Sequence, residues 1–205
     1  MGKAKIAVLV SGGGTNLQAL IDSQDSGILH SGQICVVISN NADAYALERA
    51  QKAGIDGRVV LKKELGSQSA FEAKIKEILA EYEIDIIVLA GFMSILSEAF
   101  TSAYPKRIIN VHPSLIPSFC GKGYYGLRVH EEALRYGVKV TGATVHFVNE
   151  IPDGGEIILQ KAVEILDGDT PEILQRRVME QAEWILLPAA VEKVSADILS
   201  CNEKG

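Results

Sequence analysis

Residues 84–90 read Ile84-Asp-Ile-Ile-Val-Leu-Ala90, an apolar, β-branched run interrupted only by Asp85. A strand without polar alternation has no face suited to water, so it belongs in a sheet covered on both sides. Before it, Ser69–Tyr82 carries Phe71, Ile75, Ile78 and Leu79 at the spacing of one helical face. After it, residues 94–103 read as a short helix and Arg107–Val111 as another strand. Strands buried on both faces and alternating with helices indicate a parallel sheet with helices on both sides.

The same rhythm extends toward the N-terminus. Strand signals fall at 6–10, 34–39 and, weakly, 58–61, with helices over 16–24 and over 44–53, the latter ending at Gly54. Toward the C-terminus the pattern changes. Val129–Tyr136 is helical and stops at Gly137, and two strands, 140–148 and 156–165, flank the turn Pro152-Asp-Gly-Gly155. Two strands joined by such a turn form an antiparallel pair. Thr170-Pro171-Glu172 opens a long helix with proline at its first position. Pro188 is expected to kink or split that helix. The expected fold is α/β: one domain over residues 1–205, with a mostly parallel twisted sheet, helices on both faces, and an antiparallel strand pair near the C-terminal part.

Composition narrows the function classes. A chain of 205 residues suits one α/β domain. At this size roughly 70% of the unfolded surface is buried, so no disulfide or metal staple is needed. The net charge of −6 and the lack of a basic stripe disfavour nucleic acid as a partner. Cys35, Cys120 and Cys201 are widely spaced with no CxxC pair, which argues against a disulfide framework and against zinc. No metal is expected. The apolar run 6–10 is too short for a signal peptide, and no segment is long enough to span a bilayer. A cytoplasmic protein without membrane contact is expected, as a monomer or homodimer.

Three segments carry chemistry. Ser11-Gly-Gly-Gly-Thr-Asn16 lies between the first strand and the first helix, at the carboxyl edge where parallel sheets bind ligands. Glycines let the backbone approach a ligand, and free N–H groups at a helix start favour an anion. The glycine spacing matches neither a dinucleotide fingerprint nor a P-loop, so a small phosphate monoester fits better. The competing reading is a tight turn with Thr15 or Asn16 as helix cap. In Asn110-Val-His-Pro-Ser-Leu-Ile-Pro117, Asn110 and His112 lie two apart at a strand end and project from one face. There Asn can donate to a developing oxyanion and His can move a proton. The competing reading is a strand-terminating loop in which Asn110 satisfies local backbone. Asp153-Gly-Gly155 reads first as a turn, although a carboxylate beside His112 would favour the charged imidazole. His146 reads as a core or supporting histidine. Ser114 has no relay partner, and no GxSxG elbow supports a serine hydrolase. Cys120 shows no sign of activation.

Taken in order, SGGGTN, AGFMSIL, NVHPSLIP, VTGATVHFV and DGG resemble the phosphoribosylglycinamide formyltransferases of the folate-dependent formyltransferase superfamily, over roughly residues 5–190. The resemblance implies a Rossmann-like formyltransferase fold, with residues 1–110 as the phosphate-binding βα half. Residues 111–205 would be the folate-binding and catalytic half, with its long C-terminal helix. It implies formyl transfer from the cosubstrate 10-formyltetrahydrofolate to glycinamide ribonucleotide in purine synthesis. Asn110, His112 and Asp153 would be catalytic, with Asp153 holding His112 charged. Gly14, Thr15, Asn16 and Glu183 would hold the ribonucleotide. Met93, Ser94, Ile95, Leu96, Gln68 and Asn110 would meet the folate, beside the backbone of Asn149, Glu150, Ile151 and Pro152. The chain departs from the family pattern at Ser94 and Gln68, where arginine is usual. It also departs in a longer Ser118–Arg128 stretch, whose Lys122 or Arg128 would serve the phosphate or the folate tail. Formyltetrahydrofolate hydrolase carries an extra N-terminal domain, expected to fit less well with a first strand at residue 5, and methionyl-tRNA formyltransferase a C-terminal one, expected to fit less well with the few residues after 200 and the acidic charge. A binding module that uses only the glycine turn would leave Asn110, His112 and Asp153 idle.

Overall fold

The computed structural model describes residues 2–202. Seven strands form one sheet: β1 (Ala4–Val10), β2 (Gly32–Ser39), β3 (Asp56–Val59), β4 (Ile86–Leu89), β5 (Ile108–His112), β6 (Val140–Phe147) and β7 (Ile157–Glu164). Their spatial order is β3-β2-β1-β4-β5-β6-β7. The first five run parallel; β6 is antiparallel to both β5 and β7. The chain steps outward from β1 to β2 and β3, then returns to the other side of β1 with β4. The loops after β1 and β4 therefore part in opposite directions and leave a crevice at the carboxyl edge.

Alternation along each strand feeds two cores. Ile86, Val88 and Ala90 join Val8, Ile109, Leu17, Leu187 and Val191 on one face. Ile87 and Leu89 join Leu9, Ile108, Phe71, Ile75 and Phe100 on the other. The first face is covered by α1 (Thr15–Asp25) and α8 (Trp184–Asn202), the second by α4 (Gln68–Glu81) and α5 (Glu98–Thr101). Double coverage is why residues 84–90 carry almost no polar side chain.

Several boundaries differ from the sequence reading. The third strand is Asp56–Val59, and a short helix, α3 (Lys62–Leu65), follows it unannounced. The helix expected over 94–103 is only four residues long. The Ser97 hydroxyl caps it by accepting from the Phe100 N–H, and residues 90–97 stay free as a loop. Pro188 does not split its helix, because α8 runs through it to Asn202. Since Pro188 lies near the start of α8, its missing N–H deprives only the Trp184 carbonyl of a ladder partner. The interruption falls earlier, in a π turn at Met179–Glu183 that follows α7 (Pro171–Val178). Helix α2 (Tyr45–Lys52) packs beside α1, and α6 (Leu127–Tyr136) beside α7. Among the described residues no helix is long and apolar enough to cross a membrane.

Candidate active site

The glycine turn enters α1 through Gly14, whose φ is 72° and which caps the helix without any side-chain hydrogen bond. Neither Thr15 nor Asn16 caps it, and a helix start without a side-chain cap keeps first-turn N–H groups available to an anion. A Cβ on Gly14 would lie 2.7 Å from the Ala46 Cβ, so α2 presses the turn into place. The Asn16 side chain turns inward and its Nδ2 donates to Glu183 Oε2 at 2.9 Å. Its Oδ1 is buried without a partner, an acceptor left for something not in the chain. Asn16 and Glu183, 167 positions apart, thus form one polar pair.

Glu183 is buried in the π turn. Burial pushes its carboxyl above the ordinary 4.5, and the Asn16 amide offsets this only in part. A folded-state pKa raised above the unfolded one gives stability that is full below the unfolded pKa and is lost as pH rises through the folded value. Glu183→Gln removes that loss. Its melting temperature is expected to exceed wild type by roughly 2–4 °C at neutral pH, the shift about 1 kcal/mol gives a domain of this size. The gain should vanish near about pH 4. A difference independent of pH in thermal melts would overturn the reading.

Asn110 and His112 leave the same face of β5 at its carboxyl end, as their spacing requires. His146 stands opposite Asn110 in the β5–β6 register, and the Asn110 Nδ2 lies 3.1 Å from His146 Nε2. His146 Nδ1 lies 2.8 Å from the Phe147 carbonyl. A carbonyl only accepts, so Nδ1 carries a proton; in the neutral ring Nε2 receives one hydrogen of the Asn110 amide, and in the charged ring it donates toward Asp153. The other amide hydrogen remains for a ligand. Asp153 closes the group. Its Oδ2 is 3.5 Å from His112 Nδ1, its Oδ1 is 3.6 Å from His146 Nε2, and Gly121 N–H donates to Oδ2 at 2.8 Å. His112 Nε2 lies 2.9 Å from the Phe119 carbonyl.

The electrostatics of His112 set burial against the Asp153 charge. Burial lowers the His112 pKa below its ordinary 6.5, and the Asp153 charge, which raises it, does not make up the difference. A neutral ring carries one proton, and the Phe119 carbonyl takes it at Nε2, so Nδ1 faces the Asp153 carboxylate unprotonated until the ring becomes charged. Burial also pushes the Asp153 carboxyl up, but its contacts with His146, His112 and the Gly121 N–H outweigh burial and hold it below the ordinary range. Asp153 is therefore the standing negative charge of the cluster.

The loop after β4 carries Met93, Ser94, Ile95 and Leu96. The Met93 N–H donates to Ser11 Oγ at 2.8 Å, and Asn40 Nδ2 donates to Ser94 Oγ at 2.7 Å. Gln68 Nε2 reaches the Ile95 carbonyl at 3.1 Å. Leu96 packs into the core, whereas Met93 and Ile95 are 57% and 73% exposed. Val148 leads into the turn Asn149–Asp153, in which Asn149 Oδ1 accepts from the Ile151 N–H and Ile151 itself is exposed. Glu150 and Pro152 are exposed in the same turn. Uncovered apolar side chains and free loop backbone along one face suit a flat, hydrogen-bonding ring.

His146 belongs to the cluster rather than only to the core. The signal was its alternation with Thr144, which puts two polar side chains on one face of the strand. Nothing in the sequence marked Phe119 or Gly121, which act through backbone. Ser114 Oγ donates to the Ser118 carbonyl with no base beside it, and burial pushes the Cys120 thiol up. Neither is an activated nucleophile. Among the described residues no group of three or more His, Cys, Asp or Glu is arranged to hold a metal.

With neither Ser114 nor Cys120 activated beside Asn110, His112 and Asp153, the site suits the class of group transferases, which move a group between two bound molecules. The family model described as formyl transferase matches residues 4–191, and the chain belongs to that family. It is 43% identical to phosphoribosylglycinamide formyltransferase of Haemophilus influenzae, over 92% of this chain and 85% of that one. Glycinamide ribonucleotide transformylase 1 from Symbiobacterium toebii superposes with a TM-score of 0.89 at 44% identity, covering 95% of this chain and 89% of that one. The trifunctional purine biosynthetic protein adenosine-3 of Bos taurus is 46% identical over 99% of this chain, which spans 19% of that longer protein.

Proposed function

We propose that this chain transfers the formyl group of 10-formyltetrahydrofolate to the amine of 5′-phosphoribosylglycinamide, giving N-formylglycinamide ribonucleotide in purine biosynthesis. The observation that carries the reading is the Asn110, His112, Asp153 cluster at the carboxyl end of β5, in a chain of the formyl transferase family.

In this reading the ribonucleotide phosphate sits on the backbone N–H groups of Gly14, Thr15 and Asn16, while Glu183 and the unpartnered Asn16 Oδ1 take hydroxyl or amide hydrogens. The folate ring lies along Met93–Leu96 and the backbone of Asn149–Asp153, with Gln68 and Ser94 toward its tail. The substrate amine attacks the formyl carbon. Asn110 donates its free amide hydrogen to the oxygen as that oxygen becomes negative. His112, neutral in the resting site with Nε2 donating to the Phe119 carbonyl, accepts a proton from the attacking amine at Nδ1, and Asp153 beside that nitrogen stabilises the imidazolium so formed. His112 then returns the proton to the departing folate nitrogen as the carbon–nitrogen bond breaks. The chain's residues change charge only transiently, and no metal is needed for the step. A cytoplasmic protein, monomeric or dimeric, suits this chemistry.

Mixing the purified protein with both substrates and following tetrahydrofolate release tests the assignment. Release that depends on the ribonucleotide is the expected result. Release without it would make the protein a hydrolase, and binding without release would make it a binding module.

A further inference from the structure

Two carboxylates are buried among the described residues, Glu72 and Glu183. Glu183 has a place in the ribonucleotide reading; Glu72 has none. It lies on α4 and is 6% exposed. An ionised carboxylate is costly to bury unless other groups satisfy it. Glu72 is met by polar donors rather than by a paired cation. Ser97 N–H donates to Oε1 at 2.7 Å, Ser97 Oγ donates to Oε2 at 2.5 Å, and Gln68 Nε2 donates to Oε1 at 2.5 Å. Burial raises the carboxyl's pKa, but these hydrogen bonds outweigh it and the group lies below its ordinary 4.5, with Lys76 adding only a weak charge effect. Glu72 is therefore ionised at neutral pH.

Every donor leads to the loop after β4. Ser97 ends that loop and caps α5, accepting from the Phe100 N–H. Gln68 also donates to the Ile95 carbonyl. The neighbouring α4 residue, Phe71, stacks on Phe92 at the other end of the loop, with ring centroids 6.5 Å apart. The segment 93–96 is thus stretched between two anchors on α4, and its exposed Met93 and Ile95 cannot sink into the core.

We propose that Glu72 is a positioning residue for the folate cosubstrate: its carboxylate holds Ser97 and Gln68 so that Met93–Leu96 stands open as a rigid wall of the pocket. This rests on the function proposed above. Charge-assisted hydrogen bonds are about twice as strong as neutral ones, so an amide in place of the carboxylate loosens the wall. Glu72→Gln is expected to raise the KM for 10-formyltetrahydrofolate about tenfold, with the ribonucleotide KM unchanged. Amide hydrogen exchange at residues 93–97 should quicken while exchange in the middle of α4 stays as in wild type. If that variant does not fold, Ser97→Ala removes one hydroxyl donor to Glu72 while keeping the Ser97 N–H bond, and should raise the same KM about threefold. Unchanged folate KM, or an equal rise in both KM values, would overturn the positioning role while leaving the function intact. Wild-type protein that releases no tetrahydrofolate with the ribonucleotide would overturn both.

Discussion

Asn110→Ala is expected to lower kcat by at least about 100-fold, the usual cost of one oxyanion donor and equal to about 2.7 kcal/mol of transition-state stabilisation. The reason is geometric. One amide hydrogen is committed to His146, which fixes the direction of the other. The donor is therefore aimed before the reaction begins, and the charge that develops on the formyl oxygen needs no rearrangement. The ribonucleotide KM should stay within about twofold, because the proposed phosphate site is Gly14–Asn16 rather than Asn110, and an interaction made only in the transition state leaves KM alone. Steady-state rates at saturating substrate check this. Turnover within about tenfold of wild type would remove Asn110 from the oxyanion role.

His112→Ala is expected to lower kcat by about 100- to 10,000-fold, the range for a general acid–base. Its pH dependence is the sharper test. Because burial lowers the His112 pKa beneath 6.5, the neutral ring dominates at pH 7 and is ready to accept a proton. The profile of kcat/KM, which reports the free enzyme, should be flat near neutrality and fall only as pH drops through that lowered pKa. Asp153→Asn removes the charge that raises it, so the acid limb should move lower still while turnover drops. A rate that rises on acidification would mean that the charged imidazole is the working form, and this would overturn the proton route proposed here.

Much of this site was legible because two of its signals are local. Asn110 and His112 are two apart on a strand, and strand geometry alone puts them on one face. The glycine turn before α1 was legible for the same reason, although sequence left open whether Thr15 or Asn16 capped the helix. Gly14 decides that through its left-handed backbone and its contact with Ala46. The carboxylate was harder to read. Asp153-Gly-Gly155 is an ordinary turn signal, and Asp153 has a positive φ of 57°, so it serves the turn and faces the histidines as well. His146 read as a supporting residue because register cannot be read from one strand: only pairing with β5 sets it opposite Asn110. Glu72 showed nothing beyond a polar position on a helix, since its partners Gln68 and Ser97 define it only after the loop folds back.

By itself the sequence determined what depends on periodicity and on residues a few positions apart: a doubly covered parallel sheet, an antiparallel pair after it, an anion-ready turn and a polar pair at a strand end. Tertiary structure alone decided what depends on distant segments meeting in a low-dielectric interior. It joined Asn16 to Glu183, set Asp153 between two histidines, and moved the break in the C-terminal helix from Pro188 to the π turn at Met179–Glu183. It also buried His112, which lowers the pKa that the Asp153 charge raises. A nearby carboxylate is visible in a sequence, whereas desolvation arises only from the packing that surrounds a group, and here desolvation is the larger effect.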